Sequence, residues 1–287
     1  MASLKEVKGR IASVNNTRKI TSAMKMVASA KLHKAQAAIE SMLPYERRLH
    51  HILTDFMSNC TEVTSPFIVK REVKKVAVVV FASNTSLCGG FNANVIRHLV
   101  DLLAEYKPLG LENILVFPVG KKVADAVRKL GFRIEGDFQH MADKPSYQEA
   151  ADLAADLMKR FLHGDVDKVE LLYNHFKSTA SQILTRETYL PIDLNNEKKE
   201  EERTIDYILE PSAEELMQEM LPKVLRMKMF TVLLDSNAAE HAARTMAMQI
   251  ATDNANELLQ ELTVMYNNSR QQSITNELLD IVGGSMA

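Results

Sequence analysis

The sequence predicts an α/β chain in which two long terminal helices form a coiled coil and a compact α/β segment is inserted between them. Two observations carry this. Residues 3–57 and 212–283 each keep a helical apolar period without internal caps, and strand-like and helix-like stretches alternate between them. At about 1.5 Å per residue the first helix would be roughly 80 Å long and the second roughly 105 Å, against a core about 30 Å across. Neither helix can be buried by a core of its own, and long periodic helices of this kind pair with each other. The expected division is 1–60 for the first helix, 70–208 for the globular segment and 209–287 for the second helix. A rod built from both ends points to mechanical or scaffolding work before it points to an enzyme.

In the first helix the heptad positions from Leu4 to Phe56 are apolar at twelve of sixteen places. Three of the four exceptions are Arg18, Thr21 and Lys25, and there the apolar set moves to Ile20, Met24 and Val27. A local change of apolar face means that this stretch meets something other than its helical mate. Pro44 is expected to kink the helix or to mark a break in it.

The middle begins with Lys75–Ala82 (KVAVVVFA), a β-branched run that reads as a strand buried on both faces. A loop at 83–94 containing Cys88-Gly89-Gly90 follows. Helix 94–106, strand 113–119, helix 120–130, short strand 132–136 and helix 146–162 come next, and strands 168–175 and 182–190 complete the pattern. Alternating β and α implies a mostly parallel sheet with right-handed crossovers. Asn195–Arg203 (NNEKKEEER) has no core residues and reads as a charged loop.

The second helix opens with Pro211-Ser212 and acids at Glu214 and Glu215, a helix-start pattern. Pro222 should kink it without ending the apolar pattern Leu216, Met220, Met227, Phe230, Leu234. A stripe resumes at Met248, Ala251, Ala255, Leu258, Leu262 and Met265, after an interruption by Asn237, Glu240, His241 and Arg244. Alanines from Ala238 to Ala255 allow close helix approach. The end, Ile281–Ala287, carries no charged side chain, which fits either a protein sleeve around it or a frayed tail.

Composition is that of an ordinary soluble chain, with 46% hydrophobic and 25% charged residues. Fifteen methionines suit either a sliding surface or plain filling of helix interfaces. Cys60 and Cys88 form no metal or redox spacing, which fits a reducing compartment. The longest apolar run, Val76–Ala82, is far too short to cross a bilayer, and no signal peptide is expected before the first helix.

The net charge of −2 is unevenly spread: residues 1–34 hold eight Lys or Arg against Glu6 alone. This basic helix fits a nucleic-acid arm, a membrane-surface helix or a face turned toward an acidic protein. The stretch lacks aromatic residues for base stacking and has only Leu4 and Leu32 as large aliphatic anchors apart from β-branched residues. No pattern for chemistry emerges. Gly89-Gly90 follows a strand but fits neither GxGxxG nor GxxxxGK[ST], and Gly120-Lys121 lacks the upstream glycine. No HExxH, no GxSxG and no clustered metal ligands occur, so no catalytic residue, cofactor or metal is expected.

Several stretches together resemble the γ subunit of bacterial F-type, proton-translocating ATP synthases. They are Met24-Lys25-Met26-Val27-Ala28 within NTRKITSAMKMVASAKLHKAQ, the loop LCGGFNANV at 87–95, and Tyr173-Asn174-His175-Phe176. The fourth is EHAARTMAMQIATDNANELLQELTVMYNNSRQQSITNELLDIVGG at the C-terminal end. The family's terminal signature is met by Ile274, Thr275, Glu277, Asp280 and Gly284. Ser285 and Gln272 depart from its usual alanines, and Ser83-Asn84-Thr85-Ser86 stands where Ser-Asp-Arg-Gly is common. No paired cysteines lie near 195–210, so the thiol switch of photosynthetic relatives is not expected.

The resemblance implies a long antiparallel coiled coil of the N- and C-terminal helices with an inserted Rossmann-like α/β domain. It implies a non-catalytic rotary shaft with the α and β subunits of the catalytic hexamer, the ε subunit and the c-subunit ring as partners. Nucleic acid is not among those partners, and membrane association would come only through the complex, at the cytoplasmic face of the bacterial inner membrane. Lys19, Met24, Lys25, Arg270, Gln271 and Thr275 match positions that contact β, and Tyr207 and Glu210 match the footing on the c ring and ε. Two alternatives share the layout: a coiled-coil scaffold binding nucleic acid through its basic arm, and a nucleotide-binding enzyme with helical dimerisation arms.

Overall fold

Beta-branched residues crowd the start of the middle segment, and this is where the sheet has its central strand. The computed structural model describes residues 3–59, 65–192 and 213–285. In chain order the elements are α1 (Leu4–Asn59), β1 (Val76–Phe81), α2 (Phe91–Tyr106), β2 (Ile114–Val119), α3 (Lys121–Leu130), β3 (Arg133–Ile134), α4 (Gln139–Asp143), α5 (Tyr147–His163), β4 (Lys168–Ser178), β5 (Ser181–Leu190) and α6 (Ala213–Ser285). They match the expected elements to within a few residues, with α4 the addition. The chain divides into two compact units, Met1–Ser29 with Arg244–Ala287, and Ala30–Ala243.

The second unit holds the sheet, in the order β3-β2-β1-β4-β5. β1 pairs in parallel with β2 (Val76↔Ile114) and with β4 (Val76↔Lys168), and β4 turns back antiparallel into β5. Strands flanked on both sides have two faces to bury, and all six residues of β1 and of β2 are buried. Ala77, Val79 and Phe81 face α5 and the Met217–Leu233 stretch of α6. Val76, Val78 and Val80 face α2 and α3 through Val95, Leu99, Leu103, Val123 and Val127. Pro118 is tolerated in β2 because β3 pairs only with Leu115 and Val116 and has already ended there. Gly131 and Gly164, at φ +77° and +75°, close α3 and α5 with left-handed caps.

Neither proline ends its helix: Pro44 lies inside α1 and Pro222 inside α6. The expected break at Pro44 is therefore absent. A proline removes one backbone hydrogen bond, and at Pro44 both it and Glu40, whose carbonyl loses its partner, are exposed to water.

One carboxylate lies buried in the face of the sheet. Glu170 on β4 accepts hydrogen bonds from Lys168 Nζ (2.6 Å), Tyr106 Oη (2.9 Å) and Arg186 Nε (3.0 Å). Burial alone would raise its pKa, but the hydrogen bonds from Lys168 and Arg186 win and hold it below the usual carboxylate value. A lowered folded pKa adds stability above the unfolded value and loses it as pH falls through the folded value. Glu170→Gln should therefore cost about 2 kcal/mol at pH 7, since it takes the carboxylate from Lys168 and leaves Arg186 with Glu105 alone. The deficit relative to the parent should shrink below pH 4.5, the ordinary glutamate value. Denaturant titrations of both proteins at pH 7 and pH 3.5 check this.

Candidate functional site

Doubly wound sheets bind ligands where the strand order reverses, outside the carboxyl ends of the strands. Here that point lies between β1 and β4, where Phe176 of β4 and Cys88 and Phe91 from the loop after β1 pack against Ala239 of a helix, α6, which also covers the neighbouring ends of β1 and β2. Ser236, Asn237 and Glu240 of α6, with Leu233, enclose a void with Phe81, Ala82, Val119 and Ala142. It has room for about one water molecule, whereas ligand pockets run to about 300–1,000 Å³. Asn237 Nδ2 donates to the Ala142 carbonyl oxygen at 2.9 Å.

The glycine loop after β1 likewise spends its polar groups on itself. Asn92 Oδ1 accepts from the Ser83 amide (3.1 Å), while its Nδ2 donates to Ser83 Oγ (2.7 Å) and Cys88 Sγ (3.1 Å). Leu87 holds a left-handed backbone at φ +69°. This turns Cys88 inward, where it packs with Phe91 against Ala239 of α6. Among the described residues no group of three or more His, Cys, Asp or Glu could hold a metal ion.

What the molecule displays instead is helix surface. In the first unit α1 and α6 run antiparallel: Arg18 donates to Asn256 (3.3 Å), Thr21 meets Thr252 (2.8 Å) and Lys25 donates to Gln249. Rising numbers on one helix meet falling numbers on the other. The seam is narrow. Val7, Thr21 and Ala28 are buried on α1 and Met248, Ala255 and Leu262 on α6, one side chain per turn-pair. Of the stripe read from the sequence, Leu258 and Met265 are exposed rather than buried.

The shift of apolar face near Arg18–Lys25 proves to be a division of labour. Polar rungs hold the seam, while Ile20, Met26 and Val27 stand 60, 64 and 59% exposed. Met24 is half covered, Lys19 is exposed and Lys25 is partly buried through its contact with Gln249.

At the far end, carrying the register from Arg18–Asn256 back to Leu4 brings that residue opposite Arg270. Past that point no described residue of α1 lies alongside α6. Gln271 and Thr275 lie on that unaccompanied stretch. Both are exposed, as is Arg270, and Thr275 Oγ1 donates back to the Gln271 carbonyl oxygen at 2.9 Å. Farther along, Leu279 and Ile281 are 63 and 68% exposed, too apolar for a surface meant only for water. These six residues thus form two groups on one helical unit, the far one exposed and the near one exposed only at Lys19. Tyr207 and Glu210 lie outside the described residues. Sequence reading missed the Thr21–Thr252 rung, because a threonine at a heptad seam reads as a defect until its partner is known.

Comparison with known proteins decides what this surface belongs to. Residues 3–287 match the family described as ATP synthase. A protein from Phocaeicola vulgatus called ATP synthase gamma chain is 82% identical over the full length of both chains. One of the same name from Bacteroides fragilis is 64% identical, again end to end. The chain belongs to the ATP synthase γ-chain family. Its fold recurs at 19% identity and a TM-score of 0.62 in a chain of the Euglena gracilis mitochondrial ATP synthase, covering 99% of this chain and 93% of that one. Membership in the γ-chain family leaves the nucleic-acid scaffold without support.

The packing of α6 into the switch-point crevice yields a test. Ala239 of α6 is fully buried against Cys88 and Phe91 of the glycine loop. Ala239→Leu should destabilise the chain by about 1–3 kcal/mol through overpacking. Ala37→Leu, on an exposed face of α1, should be neutral in the same denaturant titration.

Proposed function

We infer that this chain is the central rotary shaft of a bacterial F-type ATP synthase, coupling proton flow to ATP synthesis and hydrolysis. The observation that carries the reading is the far end of α6, beyond the reach of α1, where Ile274, Leu278, Leu279 and Ile281 are exposed and call for a protein sleeve. Full-length identity to proteins called ATP synthase gamma chain supports it. Related solved structures are titled as a central stalk with c ring and as a complex of F1 with c ring.

In this reading the α and β subunits form the sleeve, and the chain itself carries no catalytic residue. Residues 1–60 and 209–287 form the shaft, and 70–208 form the body that stands with ε on the c ring, with Tyr207 and Glu210 at its footing. No helix among the described residues is long and apolar enough to cross a membrane. Attachment to the cytoplasmic face of the inner membrane then comes through the complex.

Work is done by unequal contacts. An asymmetric rod within a ring of three like sites touches each β subunit differently and biases each open–closed equilibrium by its contact energy. Turning the rod moves that bias from site to site. Lys19 and Lys25 present cations to acidic β loops, and the half-covered thioether of Met24 passes carboxylates without holding any of them. Arg270, Gln271 and Thr275 offer donors to a β loop higher on the shaft.

Two measurements test this. The pure chain should show no ATP turnover of its own, and turnover abolished by mutating its residues would refute the shaft role. Met24→Lys adds a cation beside Lys19 and Lys25, and one new ion pair over roughly 4 Å is worth up to about 4 kcal/mol before desolvation. A contact strengthened at one angle deepens one well. The variant complex should assemble normally but couple poorly, with a steeper temperature dependence of hydrolysis. Normal coupling with low yield would instead assign Met24 to seam packing alone.

A further inference from the structure

The β4–β5 hairpin overhangs the sheet. β4 pairs with β1 only as far as Leu172, so residues 173–178 have no strand on that side. What holds the overhang is α6. Phe176 packs against Ala238 and Ala242 of α6 and Leu32 and Ala35 of α1. It also reaches the Cys88, Phe91 and Ala239 cluster on the other side.

One side chain fastens this arrangement with directed bonds. Asp235 Oδ1 accepts the backbone N–H of Phe176 at 2.8 Å, and its Oδ2 accepts from His175 Nδ1 at 2.6 Å. The carboxylate is largely covered, at 13% exposure, while the imidazole is half exposed. Other ties between sheet and α6 differ in kind. Lys228–Glu187 is a partly exposed ion pair, and Tyr189 donates to the Leu225 carbonyl oxygen deep in the core. Asp235 binds both main chain and side chain of the free hairpin end, one turn from the alanines that Phe176 covers.

We propose that Asp235 is the pin that locks the β4–β5 hairpin to α6, so that turning force passes between the α/β body and the helices with little lost travel. The proposal rests on the shaft reading and names a positioning residue within it. Apolar contacts between Phe176 and alanine are non-directional and resist sliding poorly. A charge-assisted bond to a backbone amide fixes both distance and angle. With the pin removed the hairpin remains packed but can shift along the helix, and part of each step is absorbed as twist.

The test uses the whole synthase in inverted membrane vesicles, with ATP hydrolysis and ATP-driven proton pumping measured on the same preparation. Asp235→Ala should leave hydrolysis within about twofold of the parent, while protons pumped per ATP fall at least threefold. Hydrogen exchange at the Phe176 amide should quicken at least tenfold. Asp235→Asn keeps an acceptor for that amide and should restore at least half of the pumping ratio, a rescue that simple loss of folded protein does not give. An unchanged pumping ratio in Asp235→Ala with fast Phe176 exchange overturns the pin. If Asp235→Ala fails to assemble, His175→Ala, which removes only the imidazole half, should lower the ratio in part, and an unchanged ratio in it overturns the pin. A parent complex that pumps without this chain overturns the shaft reading along with it.

Discussion

Everything in the larger unit depends on how closely α6 is approached by its neighbours. Ala238, Ala239 and Ala242 are fully buried, with Leu32 and Ala35 of α1 on one side and Cys88 and Phe91 of the glycine loop on another. A bulkier stripe would hold these elements apart. Small side chains bring backbones near enough for one helix to serve the helical pair and the sheet at once. The crevice that a doubly wound sheet leaves open for a ligand becomes the seat of a helix.

With the crevice taken by α6, no metal-holding cluster occurs among the described residues, although the strand order is that of ligand-binding doubly wound sheets. The glycine loop keeps its position after β1, but Asn92 takes up its polar groups and Cys88 faces the protein. The helix surfaces of the smaller unit carry exposed Lys19 and, toward the end of α6, exposed Leu279 and Ile281. Thr21 and Thr252 keep the pair in register while Ile20, Met26 and Val27 remain outside.

Much of the fold is legible in the amino-acid sequence. The β-branched run of β1, the alternation after it and the period of the terminal helices place every strand to within a few residues. Of the break and the kink that Pro44 allows, the break is absent, since at an exposed position it interrupts one hydrogen bond without ending the helix. Contacts made at long sequence separation are not readable in this way. His175 and Asp235 are sixty residues apart, and Glu170 meets Tyr106 and Arg186 from separate elements. Leu258 and Met265 follow the apolar period yet lie outside the seam, because periodicity marks a helical face without saying how much of it a single mate covers. The candidate contact residues come from motif resemblance, as exposure on a helix leaves no trace in a hydrophobic period.

The narrow seam has a consequence for the life of the unassembled subunit. With one buried side chain per heptad on each helix, the pair formed by 4–29 and 244–285 has little cohesion of its own. Helices in proteins gain most of their stability from packing an apolar face. Whatever encloses this pair therefore stabilises it by mass action, and a chain left without that enclosure opens locally far more often. Proteases act on such openings. On the shaft reading, copies outside the complex are therefore the ones open to cleavage.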